Sequence, residues 1–185
     1  EQFEKLDEMA DNERFAITGP AGSGKTYLAL EQARRRTAAG ERVAVLCYSY
    51  GLAELLKGSV ACFPEDEQPA YVGTFHGLGA MWGISAPKNA PHSWWLDDCA
   101  HLMREEADKL DQFERFDTLI VDEGQDFLTS WWQALTAMLR DPEHGGMFVF
   151  GDMDQNVFAR DELKKLGIAS SKLTRNMRNA RPIAE

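Results

Sequence analysis

The sequence lacks several features that define whole classes of protein. Its three cysteines, Cys47, Cys62 and Cys99, cannot all pair and have neither CxxC nor Cys/His spacing. They therefore predict reduced thiols in a cytoplasmic protein rather than a disulfide framework or a zinc site. No apolar run approaches the length of a membrane-spanning helix. Residues 1–5 have neither the basic nor the apolar segment of a signal peptide, so we expect no membrane partner.

Positive charge is also scarce. The chain has 20 Lys and Arg residues against 30 Asp and Glu residues, which gives a net charge of −10. A protein that binds nucleic acid through bulk electrostatic attraction is usually basic. The charge balance argues against that class, but it leaves room for a motor that holds a strand in a local groove. With 185 residues, 44% of them apolar, the chain is long enough for one domain with a real core.

The apolar residues cluster in short runs that do not alternate with polar ones, as in strands that are covered on both faces. These runs are residues 15–17, 43–47, 119–121 and 147–150. Helical patterns lie between them at residues 27–39, 93–110 and 129–139. We expect Thr129 or Ser130 to cap the last helix, and loops at residues 63–69 and 83–91. This alternation predicts an α/β fold with a mostly parallel central sheet and helices on both faces.

One segment between a predicted strand and a predicted helix has the pattern G-x-x-x-x-G-K-T, in the context that identifies a P-loop. Its residues are Gly19, Pro20, Ala21, Gly22, Ser23, Gly24, Lys25 and Thr26. Glycines let backbone N–H groups surround phosphates, and the helix N-terminus adds its positive dipole end. We expect Lys25 to neutralise phosphate charge and Thr26 to bind Mg²⁺. The sequence thus predicts ATP and Mg²⁺ as ligands.

Two carboxylates, Asp122 and Glu123, follow another apolar run. Asp122 matches the position that holds Mg²⁺, and Glu123 matches the position that activates the attacking water. Acidic residues often follow strands for no reason but solvent exposure. A P-loop in the same chain favours the catalytic interpretation.

Residues 122–126, Asp-Glu-Gly-Gln-Asp, resemble the DExQD box of superfamily 1A helicases of the UvrD/Rep type. Four further segments match motifs of that family in the expected order. They are residues 47–53 (motif Ia), 72–77 (the TFH motif), 150–155 (GDxDQ) and 173–179 (LxxNYRS). The chain begins without Met and ends soon after the last motif, so we expect it to be part of a longer protein.

The resemblance implies a RecA-like ATPase domain of a helicase or translocase that acts on single-stranded DNA, with RNA as the other possible strand. It implies that Gln125 and Gln155 sense the γ-phosphate and that Arg178 stabilises transition-state charge. Gln2 corresponds to a glutamine that reads adenine. The implied strand contacts come from Tyr48, Ser49, Thr74, Phe75, His76 and Arg160.

Three departures from the family pattern affect these roles. Met177 replaces a tyrosine that stacks on adenine, and Arg160 replaces a base-stacking tryptophan, although arginine can also stack on a base. Motif Ia has Tyr-Ser-Tyr at residues 48–50 in place of Thr-Asn-Lys, a pattern closer to a branch that is often fused to nuclease-related domains. An ATP-gated switch or nuclease regulator without processive unwinding is therefore the alternative function. A small-molecule kinase would not explain the motifs at residues 122–126 and 151–155.

The resemblance also implies the domain boundaries. We expect residues 1–173 to form the ATPase domain and residues 174–185 to begin a second RecA-like domain of the same full-length chain. Residues 78–112 are either a reduced helical insertion or an ordinary connection. The pairs Trp94-Trp95 and Trp131-Trp132 are interpreted as core or interface residues, because tryptophans on amphipathic helices usually are.

Overall fold

A computed structural model describes residues 2–152 and 157–174. The described strands are β1 (Arg14–Thr18), β2 (Val43–Cys47), β3 (Tyr71–Thr74), β4 (Thr118–Asp122), β5 (Gly146–Gly151) and β6 (Ala169–Lys172). They form one six-stranded sheet in the order β3-β2-β4-β5-β1-β6, and every pairing is parallel. The predicted α/β fold with a parallel sheet is confirmed.

The helices connect these strands in sequence. They are α1 (Gln2–Ala10), α2 (Lys25–Ala38), α3 (Tyr50–Val60), α4 (Phe75–Met81), α5 (Cys99–Ala107), α6 (Thr129–Ala137) and α7 (Val157–Lys165). Two 3₁₀ turns, Glu65–Glu67 and Gly124–Asp126, and a π-helical turn, Trp94–Asp98, complete the regular structure of the described residues. None of the described helices has the length and apolar character needed to cross a bilayer.

Alternate residues of each central strand point to opposite faces of the sheet and enter different cores. In β4, Leu119 and Val121 pack with α5 and α6, whereas Ile120 packs with α2 and α3 on the other face. The same alternation holds for β5, where Met147 and Phe148 enter different cores. Coverage on both faces explains why these strands are apolar throughout.

The structure changes two sequence predictions about the helices. The helix predicted at residues 93–110 is instead the π-helical turn Trp94–Asp98 followed by the shorter α5. Neither Thr129 nor Ser130 caps α6, because Leu128 occupies the cap position without a side-chain hydrogen bond. The Ser130 hydroxyl donates instead to the carbonyl of Leu96, at 3.1 Å, so tertiary packing rather than a local cap fixes the start of this helix.

Candidate functional site

The motif residues meet at one edge of the sheet because parallel strands all end there. Thr18 at the end of β1 pairs with Gly151 of β5, and Asp122 at the end of β4 pairs with Phe150 of β5. The P-loop after β1 and the carboxylates at the end of β4 therefore lie on either side of the end of β5. On the far side of β4, β2 leads into Tyr48 and β3 ends at Thr74.

The P-loop has the backbone that its glycines predict. Gly22 and Gly24 have φ angles of 80° and 90°, values that residues other than glycine rarely adopt. Lys25 is only 6% exposed, and its Nζ donates to the carbonyls of Gly19 at 2.8 Å and Pro20 at 3.0 Å. The lysine ammonium thus lies against the loop that is predicted to hold phosphates.

Asp122 connects the P-loop helix to the end of β4. The Thr26 hydroxyl donates to Asp122 Oδ2 at 2.8 Å, and the backbone N–H of Glu123 donates to Oδ1 at 3.0 Å. The Asp122 side chain is fully buried, and this burial raises its pKa to about 6, with a further increase from the neighbouring Glu123 charge. The carboxylate is therefore held in place without full compensation for its negative charge.

Glu123 has a backbone conformation that is rare for its residue type. Its φ of 54° lies in the left-handed region, where strained residues cluster at functional sites. Its Oε2 accepts a hydrogen bond from Gln125 Nε2 at 2.7 Å. Gln125 Oε1 in turn accepts from the backbone N–H of Asp152 at 3.0 Å. Gln125 therefore joins the Glu123 carboxylate to the residue that follows β5.

The residues around Asp122 fit a magnesium ion. The buried Asp122 carboxylate, with its raised pKa, and the neighbouring Thr26 hydroxyl are hard oxygen donors of the kind that bind a divalent cation. The charge of such a cation would compensate the negative charge of the carboxylate. Among residues 2–152 and 157–174, no group of three or more His, Cys, Asp or Glu side chains could hold a metal by itself. Mg²⁺ takes one or two protein ligands and completes its coordination with water and phosphate, so the two oxygen donors of Thr26 and Asp122 would be enough to hold it.

A second feature of the same edge is a groove of about 650 Å³, which we call the aromatic groove. It is lined by Tyr48, Ser49, Tyr50, His76, His92, Trp95, Leu96, Asp126, Leu128 and Trp131. Tyr48, Ser49 and His76 were predicted to contact a nucleic-acid strand, and the fold brings them together here. The Tyr48 ring stacks on Trp131 with 5.9 Å between centroids.

The other two residues of the TFH motif do not line the groove. Phe75 is fully buried, and its ring stacks on Trp131 at 4.5 Å with an interplanar angle of 3°. Its ring therefore supports the groove from below, and the predicted direct contact with a strand does not fit this position. Thr74 caps α4, its hydroxyl accepting from the Gly77 N–H at 3.0 Å.

The four tryptophans interpreted from the sequence as core or interface residues differ in their exposure to solvent. Trp94, Trp131 and Trp132 are buried as expected, but Trp95 is 43% exposed and faces the groove. His92, Leu96 and Leu128 also line the groove, and the sequence did not predict this. The density of His and Trp at residues 92–95 was a signal, but that segment follows a Gly/Pro-rich loop with no recognisable motif.

His76 links the groove to the π-helical turn. Its Nε2 lies 2.9 Å from the carbonyl of Trp95, and since a carbonyl only accepts, Nε2 carries the hydrogen. Burial lowers the pKa of His76, and the Trp95 carbonyl opposes that shift only in part. The neutral ring is therefore favoured, with Nδ1 left as an acceptor.

Several of the predicted site residues lie in parts of the chain that the structure does not describe. Gln155, Met177 and Arg178 lie outside the described residues, as does the side chain of Gln2, whose backbone begins α1. Arg160 is exposed on α7. Of the remaining histidines, His101 and His144 are exposed, each with a carboxylate nearby.

No curated protein matches the chain. Among solved structures, the chain is similar to one described as "Crystal structure of Bacteroides Pif1 bound to ssDNA", with a TM-score of 0.53 and 17% identity. The alignment covers 98% of this chain and 43% of that one, so this chain spans less than half of the Pif1 chain. At this identity the similarity establishes the fold alone, which is RecA-like as predicted.

A family model described as an AAA domain (AAA_19) matches residues 2–160. This family is typical of UvrD/Rep/Pif1-type helicases, and the resemblance to superfamily 1 helicases is confirmed. The glycine-lined P-loop, the buried Asp122 and the strained Glu123 lie within the matched segment. The chain therefore belongs to the AAA_19 family and has the motor-domain fold of a superfamily 1 helicase.

Proposed function

We propose that this chain binds and hydrolyses ATP with Mg²⁺ and that it drives a helicase or translocase along single-stranded DNA, with RNA as the other possible strand. The hydrogen bond between Thr26 and Asp122 carries the proposal. It brings together the two residues expected to hold Mg²⁺, beside a lysine already lying against the P-loop carbonyls.

The charges and hydrogen bonds of the nucleotide site, which we define as residues 19–26 with residues 122–125, support distinct roles. The backbone N–H groups of residues 19–26 and Lys25 would bind the phosphates. Thr26 and Asp122 would hold Mg²⁺, which neutralises phosphate charge when bound. Catalysis of this kind rests mainly on positioning and electrostatic stabilisation.

Glu123 is proposed to orient and deprotonate the attacking water. The hydrogen bond from Gln125 would hold its carboxylate in one rotamer. Because Gln125 also bonds to Asp152, a change at the γ-phosphate would reach the segment that contains Gln155. We further propose that Gln155 and Arg178 contact the γ-phosphate and that Gln2 reads adenine, as the resemblance implies.

Residues 1–173 are proposed as the ATPase domain, with residues 174–185 as the start of a second RecA-like domain that would complete the ATP cleft. The segment at residues 78–112 supplies Leu78, Trp94 and Met103 to the same core as β4 and α6. That packing favours a connection belonging to the ATPase domain itself over a separate helical insertion.

The decisive test is ATP turnover by the full-length protein with and without single-stranded DNA, with Glu123→Gln as the variant. We expect DNA to stimulate turnover strongly and the variant to lower it roughly 10²- to 10⁴-fold, the contribution of a positioned general base. ATP binding by the variant should persist. A variant with undiminished turnover would remove Glu123 from the mechanism.

An ATP-gated switch or nuclease regulator is the second candidate. The observation in its favour is that none of the described residues lining the aromatic groove is Lys or Arg, which weakens the electrostatic attraction for a strand. Turnover that is indifferent to DNA would support the switch. The chain of 185 residues by itself should turn over ATP more slowly than roughly 1 s⁻¹, because it would lack half of the ATP cleft.

A further inference from the structure

The aromatic groove has an unusual balance of side chains for a surface expected to hold a nucleic-acid strand. Its lining has four aromatic rings, Tyr48, Tyr50, Trp95 and Trp131, and two histidines. Its one formal charge among the described residues is negative, on Asp126. Phosphates would be repelled by such a surface, whereas the flat, uncharged faces of unpaired bases match it.

Among the lining residues, Trp95 combines an exposed aromatic ring with a fixed position, as stacking on a base requires. It is 43% exposed, yet its surroundings hold it firmly. The ring packs edge to face against His76 at 5.2 Å and against the buried Trp94 at 4.7 Å. An exposed indole held on two sides loses little conformational freedom when a ligand stacks on it.

The backbone beneath Trp95 is also anchored. Its own carbonyl accepts from His76 Nε2 at 2.9 Å. The next carbonyl, that of Leu96, accepts from Trp131 Nε1 at 2.8 Å and from the Ser130 hydroxyl at 3.1 Å. These bonds attach the π-helical turn to α4 and α6, and π-helical turns frequently occur at functional sites.

We infer that Trp95 is a residue on which an unpaired base of the strand stacks. This inference rests on the proposed function and adds to it a contact from a segment outside the helicase motifs.

The test is equilibrium binding of a fluorescent single-stranded oligonucleotide to the full-length protein and to its Trp95→Ala and Trp95→Phe variants. Loss of one stacked base weakens binding roughly 5- to 150-fold, and we expect that loss for Trp95→Ala. Trp95→Phe keeps an aromatic face and should bind within about 5-fold of the wild type. Phe113→Ala is the matched control, because Phe113 is 86% exposed and does not line the groove.

Two further measurements separate stacking from other effects. With an oligonucleotide that has abasic sites in place of bases, the wild type and Trp95→Ala should bind equally. With a normal strand, the ratio of their affinities should be the same at about 50 and 200 mM salt, because no phosphate contact is lost. A ratio that falls with salt, or one that persists on the abasic strand, would overturn the inference.

The outcomes also separate this inference from the proposed function. If the wild type binds no single-stranded oligonucleotide, the proposed function itself fails. If the wild type binds and a folded Trp95→Ala variant binds equally well, only the role of Trp95 fails. Should Trp95→Ala unfold, Trp95→Leu replaces it, since leucine fills much of the volume without an aromatic face and should show the same loss.

Discussion

The nucleotide site and the aromatic groove lie at the same edge of the sheet, yet different forces hold them together. The nucleotide site depends on hydrogen bonds and glycine conformations within two short segments, and its central carboxylate, Asp122, is buried with a raised pKa. The groove depends on ring packing among Tyr48, Phe75 and Trp131, which come from three distant parts of the chain.

This difference has an energetic consequence. Burying an incompletely compensated carboxylate destabilises the folded chain, so Asp122 in the proposed nucleotide site reduces stability. Burying aromatic rings removes apolar surface from water, so the base of the groove adds to stability. Substitutions in the two regions should therefore affect stability with opposite signs.

The largest effect on the free energy of unfolding is expected for a substitution of Phe75, which lies beneath the groove. Phe75→Ala removes a fully buried ring and should lower the free energy of unfolding by about 3–5 kcal/mol, as measured by urea denaturation. Phe75→Leu should lose much less stability and keep its affinity for single-stranded DNA. A folded Phe75→Leu variant with strongly reduced affinity would mean that strand binding requires the aromatic ring of Phe75 itself and not only a buried apolar side chain.

The next effect is expected at Lys25. Lys25→Ala removes a charged donor from the P-loop and should weaken ATP binding roughly 10- to 100-fold, as measured by calorimetry. Binding of single-stranded DNA without nucleotide should stay unchanged, because Lys25 is not among the residues that line the groove. Lys57→Ala, at an exposed position on α3, is the control and should leave both affinities as they are.

A smaller effect of opposite sign is expected at Asp122. The folded-state pKa of Asp122, about 6, lies above the usual value of 3.8 for an aspartate. The contribution of Asp122 to stability is therefore complete below pH 3.8 and is lost as the pH rises through about 6. At pH 7.5, without Mg²⁺ or nucleotide, Asp122→Asn should raise the free energy of unfolding by about 1–3 kcal/mol.

The Asn side chain fits this environment because the Thr26 hydroxyl can rotate to accept a hydrogen bond from it. Urea denaturation at pH 5 and at pH 7.5 measures the effect, and Asp66→Asn, on an exposed loop, is the control. Addition of Mg²⁺ with ATP should stabilise the wild type but not Asp122→Asn. A gain in stability that is equal at both pH values would contradict the charge argument.

The smallest effect is expected at His76. Burial lowers its pKa below the usual value of 6.5, so the contribution of the neutral ring to stability is lost as the pH falls from about 6.5 through the folded-state pKa. His76→Gln should remove less than about 1 kcal/mol of this pH dependence, because the partly exposed ring is screened by solvent. His101→Gln, at an exposed position, should leave the pH dependence unchanged.

Much of the sheet could be predicted from the sequence. Runs such as Val43–Cys47 are apolar throughout because they are covered on both faces. An apolar run of this kind can be recognised in a single sequence. β6 (Ala169–Lys172) could not be predicted, since it is a polar edge strand with no hydrophobic pattern. The continuous helix predicted at residues 93–110 failed because packing against α6, rather than periodicity, sets the π-helical turn.

The sequence by itself determined the local features of the proposed nucleotide site, whereas the fold brings its two segments together through the hydrogen bond between Thr26 and Asp122. The glycines at positive φ, and the strand that ends at Asp122 and is followed by Glu123, are local features, set by neighbours a few residues away. Only the tertiary structure decided that Phe75 is covered while Trp95 is exposed, and that Trp95 shares a groove with Tyr48. The physical reason is that solvent exposure depends on which distant segments pack over a side chain, and no local pattern records that.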